Sequence, residues 1–195
     1  MERMEMAIRK IFPALIASGI LSVAAGAGEA SGIWNFDDRA RFLHSSVSEL
    51  SLSGNAVPSR GIVGGGARFD GENHYLELAF TPETQPAEAM TVAFWFKAAP
   101  GSACFPAVRH RNSFFVANGG RGFSWYELTG TNGRAYDGYA HPRLLDYDEW
   151  YHFALVYDGK ELAVYFDGRK IRSVNAEQCG PVKSGSTVMI GGRLA

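Results

Sequence analysis

The chain has 195 residues, of which 46% are hydrophobic and 13% aromatic, and its formal net charge is −1. This length suits one domain, and the apolar content excludes a disordered chain. The near-zero charge gives no electrostatic basis for binding nucleic acid or an anionic membrane surface.

The N-terminus has the pattern of a secretory signal peptide. Arg9 and Lys10 precede an apolar run over residues 11–25, and small residues follow at Ala25-Gly26-Ala27. The run is about 15 residues long, short of the roughly 20 that a membrane-spanning helix needs. We therefore expect residues 1–27 to be a cleaved signal peptide and residues 28–195 to be the folded domain. The mature chain is then secreted, extracellular or periplasmic, without a membrane span; the alternative is an uncleaved N-terminal anchor.

Short apolar segments separated by turn residues predict β-strands along the rest of the chain. No segment of useful length shows the 3.6-residue period of an amphipathic helix. Residues 39–60 are Ser-rich and predict a long loop with at most one short strand, and the Gly-, Tyr- and His-rich residues 130–148 predict another loop. Strands are predicted at residues 32–38, 75–78, 91–97, 114–116, 122–128 and 187–192.

A glycine-rich stretch, Gly64-Gly65-Gly66, lies between the long loop and the strand that follows it. Such a stretch can hold a phosphate when Lys-Ser/Thr and a helix come next, but here Ala67-Arg68-Phe69 follows and no helix is predicted. We therefore expect a place where two backbone segments cross closely.

The clearest local signal is a meander over residues 149–174. Asp158-Gly159 and Asp167-Gly168 separate three apolar runs, and Asp-Gly between strands predicts a type I′ turn, in which both central residues have φ > 0. Both faces of the strands are largely apolar, so we expect a two-sheet sandwich in which both faces are covered. The alternation assigns Phe153, Leu155 and Tyr157 to one face and His152, Ala154 and Val156 to the other.

The order W-x-H, V-Y-D-G and V-Y-F-D-G in this meander resembles the centre of laminin G-like domains in the concanavalin A-like lectin/glucanase family. Further matches lie at Trp34-Asn35-Phe36-Asp37, at Phe69-Asp70-Gly71 and at Ile190-Gly191-Gly192, so the resemblance covers residues 32–195. It implies an all-β, two-sheet antiparallel jelly-roll sandwich. This fold hosts lectins, adhesion modules and glycanases, so the resemblance implies no single function.

Domains of this family continue beyond the I-G-G strand with a closing strand that pairs with the first one, whereas this sequence ends at Ala195. The resemblance therefore implies a truncated sequence with further domains of a longer chain, or a strand supplied in another way. Without that strand we expect an open sheet edge beside the first strand, which is able to pair with another chain.

Two possible stabilising links follow. Cys104 and Cys179 are the only cysteines, and an even pair in a secreted chain predicts a disulfide; the alternative is two free thiols. The resemblance also implies a structural calcium ion near the first strand, with Asp37 and Asp70 as the nearest ligands; the alternative is a plain charged edge. No other cofactor is expected.

The sequence lacks an arrangement typical of catalysis. Asp146, Asp148 and Glu149 form an acidic cluster, which we interpret as a solvated turn. The E-x-D-x-E pattern of glycanases with this fold is absent, and no strand glutamate has an acidic partner two or four residues further on. We therefore expect no enzymatic activity.

Aromatic side chains with polar neighbours stack on sugar rings, because a sugar has an apolar body and a polar rim. Arg111, Trp125, Tyr136 and Tyr139 are candidates for such contacts, although some of the aromatic rings are expected in the core. We therefore expect a secreted, non-catalytic recognition module that binds carbohydrate at the cell surface or in the extracellular matrix, with a glycan or an extracellular protein as partner. The alternatives are a structural or adhesive domain without a sugar ligand, and a glycan-active hydrolase or lyase with an atypical site.

Overall fold

The computed structural model describes residues 15–24, 30–34, 36–37, 45, 51–70, 73–79, 88–99, 104–110, 114–119, 123–140, 145–183 and 187–191. Of residues 15–24, 30–34, 104–107, 110, 115–119, 123–125 and 136–140 it describes the backbone alone. In this part of the chain, no helix is long and apolar enough to cross a membrane. The strands are β1 (Leu15–Ala24), β2 (Ala30–Trp34), β3 (Leu52–Gly54), β4 (Val57–Arg60), β5 (Gly65–Phe69), β6 (Tyr75–Ala79), β7 (Met90–Ala98), β8 (Cys104–His110), β9 (Phe114–Gly119), β10 (Phe123–Thr129), β11 (Arg134–Ala140), β12 (Trp150–Tyr157), β13 (Glu161–Phe166), β14 (Arg169–Asn175) and β15 (Thr187–Gly191), with a 3-10 helix at Glu177–Cys179.

The strands form two antiparallel sheets. The eight-stranded sheet has the order β14-β13-β12-β7-β1-β5-β4, with β2 paired to β1. The seven-stranded sheet has the order β11-β10-β9-β8-β15-β6-β3. Buried residues from both sheets form one hydrophobic core, so the predicted two-sheet sandwich is confirmed.

Strict alternation along β7 shows how the sequence builds this core. Met90, Val92, Phe94 and Phe96 are buried, whereas the residues between them are half-buried. The predicted alternation in β12 is confirmed in the same way, because Phe153, Leu155 and Tyr157 face the core. The opposite sheet contributes Leu76, Leu78, Phe114, Tyr126 and Leu128.

The two predicted Asp-Gly turns differ. Asp167 and Gly168 have φ of 48° and 75°, which agrees with the predicted type I′ turn between β13 and β14. In the other turn only Gly159 has a positive φ, 91°, so the prediction of a type I′ turn is wrong there. The cause is the Asp158 side chain, whose Oδ1 accepts hydrogen bonds from the backbone N–H groups of Lys160 (2.9 Å) and Glu161 (2.8 Å).

The glycine-rich stretch is a close backbone crossing, as predicted. A Cβ on Gly65 would lie 1.7 Å from the carbonyl oxygen of Phe36, so no larger residue fits at this position. The Asp37 carboxylate Oδ1 accepts a hydrogen bond from the Gly65 N–H at 2.8 Å. The crossing therefore fixes residues 36–37 against the start of β5.

Several elements differ from the sequence prediction. Residues 15–24, the centre of the predicted signal peptide, form β1, which pairs with β2 along Leu21–Ala24. The open edge expected beside the first strand stays a prediction. Whether residues 1–27 are cleaved is a matter of processing, and the signal peptide stays a prediction. The predicted loop at residues 130–148 contains β11, which pairs with β10 at seven successive positions. This pairing outweighs the turn propensity of Gly138.

Candidate functional site

The predicted sugar-binding aromatic residues lie in the hairpin of β10 and β11. In the register, Trp125 is opposite Gly138, Tyr136 is opposite Glu127, and Tyr139 is opposite Ser124. Tyr136 and Tyr139 are three residues apart in β11, so their positions belong to opposite faces of the sheet. The side chains of these three aromatic residues, and the whole of Arg111, lie outside the described residues, so their predicted role stays a prediction.

The two aspartates predicted near a calcium ion bind backbone N–H groups. Asp37 holds Gly65, while the Asp70 Oδ1 accepts hydrogen bonds from the N–H groups of Asn73 (2.9 Å) and His74 (2.8 Å). Across the described residues, no group of three or more His, Cys, Asp or Glu residues could hold a metal ion. Both carboxylates therefore have structural roles here, and calcium binding stays an untested expectation.

The structure does not contain the predicted disulfide, because Cys179 is a free, buried thiol. In the register, Cys104 is opposite Gly119, and Gly119 is opposite Phe123, at one end of β10. Cys179 packs against Gly130, at the other end of β10. Seven extended residues separate these ends by about 23 Å, far beyond the ~7 Å that a disulfide spans. Burial also raises the pKa of Cys179, which keeps the thiol protonated.

Acidic residues considered for catalysis are held by cations or in turns. Arg134 forms an ion pair with Glu127, and Lys170 Nζ contacts the Glu161 carboxylate at 2.6 Å. Asp146 and Asp148 lie in the turn before β12, where their backbone N–H groups donate to the Tyr151 hydroxyl and to a backbone carbonyl. The Glu127 and Glu161 carboxylates are therefore paired with cations, whereas Asp146 and Asp148 are anchored through their backbone.

A cluster that sequence reasoning missed lies on the outer face of the eight-stranded sheet, opposite the core. On β7 and β12, Trp95 pairs with His152, and Lys97 pairs with Trp150. All four side chains are half-buried. We call these four residues the outer-face cluster.

The rings and the ammonium group of this cluster are in direct contact. The Trp95 and His152 rings meet edge to face, with centroids 5.2 Å apart and planes inclined by 62°. The Lys97 Nζ lies 5.3 Å from the centroid of the Trp150 ring, within the range of a cation–π contact. Because residues two apart in a strand are separated by about 7 Å, the two pairs lie side by side on one face of the sheet.

Small residues continue this surface along the sheet. The next pair along β7 and β12 is Ala93 and Ala154, and Ala154 is in turn opposite Tyr165 on β13. Ala154 is buried, whereas Ala93 and Tyr165 are half-buried. These outer positions are partly covered, and the full cover that the sequence predicts for both faces stays a prediction.

His152 gives the cluster a neutral hydrogen-bonding group. Burial lowers the pKa of His152 below its ordinary value of 6.5, and the charge of Asp167 opposes this effect. The Asp167 Oδ1 accepts a hydrogen bond from the His152 backbone N–H at 2.9 Å, which fixes the backbone beneath the ring. A neutral imidazole offers one donor and one acceptor. The cluster therefore combines apolar ring surface with polar groups at its margin.

The alternation of residue types could have revealed the cluster. Trp95 and Lys97 alternate with the core residues Phe94 and Phe96, and a half-exposed tryptophan beside a lysine is not typical of a fully buried strand. The sequence interpretation predicted a strand at residues 91–97 without assigning its residues to two faces, so the outer positions were not considered.

Comparison with known proteins identifies relatives by sequence and by structure. Residues 70–194 match the family model of the concanavalin A-like lectin/glucanases superfamily. No curated protein matches the chain in sequence.

Three similar solved structures are binding domains of toxins. The binding domain of Paraclostridial Mosquitocidal Protein 1 has a TM-score of 0.58 and 12% identity, and the match covers 90% of this chain and 44% of that chain. The botulinum neurotoxin serotype D ligand binding domain in complex with N-acetylneuraminic acid has a TM-score of 0.61 and 12% identity, with 89% of this chain and 42% of that chain covered. The binding domain of botulinum neurotoxin DC in complex with rat synaptotagmin II has a TM-score of 0.51 and 9% identity, with 89% of this chain and 43% of that chain covered. The chain spans less than half of each of these proteins. At these identities the similarity shows the fold alone.

Proposed function

Because the chain belongs to the concanavalin A-like lectin/glucanases superfamily, we propose that it is a secreted, non-catalytic carbohydrate-binding module whose ligand lies on the outer-face cluster. The observation that carries this proposal is the contact of Trp95 with His152 beside Trp150 and Lys97 on the outer face of the sheet. Aromatic rings bordered by polar groups fit the apolar body and polar rim of a sugar.

The similar toxin structures support this class of function. The serotype D neurotoxin ligand binding domain, of which this chain covers 42%, is in complex with N-acetylneuraminic acid. Those structures are binding domains, which agrees with a recognition role without turnover. The position of the site in this chain rests on its own residues.

A glycan array probed with the full chain tests the proposal. We expect selective binding to a set of glycans. Trp95→Ala and Trp150→Ala should each weaken that binding by at least about tenfold, the effect of losing one stacked ring. Tyr75→Ala is the matched control, because Tyr75 is an aromatic residue, 36% exposed, in the seven-stranded sheet. Wild-type affinity in both tryptophan variants, with folding confirmed by circular dichroism, would refute this site.

The proposed lack of catalysis has its own assay. Incubation with laminarin, agar, carrageenan, alginate and xylan should release no new reducing ends. Release that disappears in a Glu127→Gln variant would instead establish a glycan-active enzyme.

Secretion is tested by expressing the full chain and sequencing the N-terminus of protein recovered from the medium or periplasm, where we expect cleavage after Ala27.

A protein-binding, adhesive module is the second candidate. The turn between β4 and β5 carries Ile62 and Val63, which are 37% and 78% exposed, and an apolar turn of this kind suits contact with another protein. The similar neurotoxin DC domain is in complex with rat synaptotagmin II. An array of extracellular proteins, with Val63→Asp as the disrupting variant, would favour this candidate if binding were lost there and retained in Trp95→Ala.

A further inference from the structure

Lys97 carries the positive charge of the outer-face cluster. Its Nζ lies 5.3 Å from the centroid of the Trp150 ring, and no carboxylate among the described residues forms an ion pair with it. Lys170 shows the contrast, because its Nζ contacts the Glu161 carboxylate at 2.6 Å. The Lys97 ammonium therefore has no counter-charge from the part of the chain that the structure describes.

The Trp150 ring holds this ammonium in place without using its hydrogen-bond donors. A ring face attracts a cation but accepts no strong hydrogen bond, so the three N–H donors of Lys97 are available to an anion. Lys97 is also half-buried, which restricts its side chain before a ligand arrives. A group that is ordered in advance loses less entropy on binding. Lys97 is therefore preorganised to bind an anionic group.

Other ionisable groups beside the cluster do not neutralise this charge. Burial lowers the pKa of His152 below 6.5, so the imidazole is neutral at pH 7. Asp167 is exposed and lies opposite His152. Two strand spacings and a step of two residues separate it from Lys97, roughly 12 Å between Cα atoms. Salt screens most of the interaction between exposed charges at this distance.

Trp95 supplies a ring beside the charge. It is two residues from Lys97 on β7, on the same face of the sheet and about 7 Å away. Its contact with His152 is edge to face, whereas one face of Trp150 is occupied by the Lys97 ammonium. A sugar stacked on Trp95 would direct a substituent at its rim towards Lys97.

We propose that the outer-face cluster selects acidic sugars, with the sugar ring on Trp95 and its carboxylate or sulfate group on the Lys97 ammonium. This inference rests on the carbohydrate-binding function proposed above and names the substrate class. An ammonium is a compact point charge, so the chemistry it recognises is an anionic group on the sugar and not one particular acid. The formal net charge of the whole chain is −1, so a preference for acidic sugars has to come from a local cation.

Two matched pairs of oligosaccharides test this proposal on the full chain. Oligogalacturonates and their methyl esters contain the same sugar and differ in the charge of the carboxylate. Oligosaccharides of κ-carrageenan and of agarose compare sulfated with neutral galactans. Isothermal titration calorimetry should show that wild type binds the acidic member of at least one pair tenfold or more tightly than the neutral member, the effect of a hydrogen bond to a charged group.

Lysine variants assign this preference to one residue. Lys97→Met removes the charge but keeps an apolar side chain, so it should weaken binding of the acidic member at least tenfold and leave binding of the neutral member unchanged. Lys97→Arg should retain the preference. Lys183→Met is the matched control and should bind as wild type does, because Lys183 is exposed and its backbone N–H bonds Thr129 of β10, in the other sheet.

The results separate this inference from the proposed function. Equal affinity for the charged and neutral members, lost in Trp95→Ala, would refute the preference for acidic sugars and leave carbohydrate binding in place. Equal losses in Lys97→Met and Lys183→Met would show an effect of overall charge and would contradict the role of Lys97. Failure to bind either acidic oligosaccharide would also count against the inference, whereas a glycan array without a bound glycan would overturn the proposed function itself. The wild-type comparison decides the preference even if Lys97→Met does not fold.

Discussion

Phe166 and His152 lie on neighbouring strands of the same sheet, and their surroundings give them different roles. Phe166 is buried and makes edge-to-face contacts with Phe96 and Phe153, at centroid distances of 6.0 and 5.6 Å. His152 is half-buried on the outer face, beside Trp95. A residue on the core side is therefore expected to affect stability, and a residue on the outer side to affect binding and pH dependence.

Phe166→Ala should destabilise the domain by about 3–5 kcal/mol, because it removes a buried ring and leaves a cavity beside two other rings. Urea unfolding followed by tryptophan fluorescence measures this change. Val63→Ala is the control, since Val63 is 78% exposed and its loss should change the free energy of unfolding by no more than about 0.5 kcal/mol. A change below about 1 kcal/mol for Phe166→Ala would contradict the assigned packing.

His152 should make the domain less stable in mild acid. Burial lowers its pKa in the folded state below 6.5, its ordinary value, so the unfolded chain takes up the proton first as the pH falls. The contribution to stability is therefore complete above about pH 6.5 and decreases as the pH falls from there towards the lowered pKa. Between pH 7.5 and 5.5, wild type should lose more free energy of unfolding than His152→Gln does. Parallel curves would show that the effect of Asp167 on the pKa of His152 cancels the effect of burial. A wild type that gains stability in acid would show that the effect of Asp167 is the larger one.

Among the elements, the β13–β14 hairpin depends most clearly on one residue type. Asp167 and Gly168 both have positive φ, and a Cβ on Gly168 would meet nothing within 4 Å. Any loss of stability on substitution of Gly168 therefore comes from backbone strain and not from a steric clash with the rest of the domain.

Gly168→Val should destabilise the domain by about 1–3 kcal/mol, because a β-branched residue is strained at φ near 75°. Gly168→Asn is the matched control: asparagine tolerates the left-handed region and should cost clearly less. Thermal unfolding of the two variants beside wild type measures the difference. Equal melting temperatures for the valine and asparagine variants would contradict the type I′ turn.

Local sequence signals predicted a locally paired element where they included Asp-Gly turns. The β12–β13–β14 meander followed from its Asp-Gly pairs, although at Asp158 the side chain closes the turn in another way. Strand β11 was missed, because its residues resemble a loop until β10 pairs with them. The location of β1 could not be predicted, since its partners β5 and β7 are distant in sequence and an apolar run serves equally as a leader or as a central strand.

For the whole molecule, the sequence predicted the two-sheet sandwich, but its candidate sugar-binding residues, which stay a prediction, do not include the outer-face cluster. The fold follows from the alternation of apolar and polar residues and from the turn residues, both of which can be read from the sequence alone. A surface site depends on which strands are neighbours, and Trp95 and His152 are brought together only by the pairing of β7 with β12. The disulfide prediction was incorrect for the same reason, because composition suggested a pair that the register separates.

The central claim is that a carbohydrate binds on the outer-face cluster of the eight-stranded sheet. Hydrogen exchange of the full chain, measured with and without the best glycan from the array, tests it most directly. Glycan binding should slow exchange in peptides that contain β7 and β12, and Trp95→Ala should abolish the effect. Slowed exchange in β10 and β11 instead, with β7 and β12 unchanged, would contradict the claim and move the site to the other sheet.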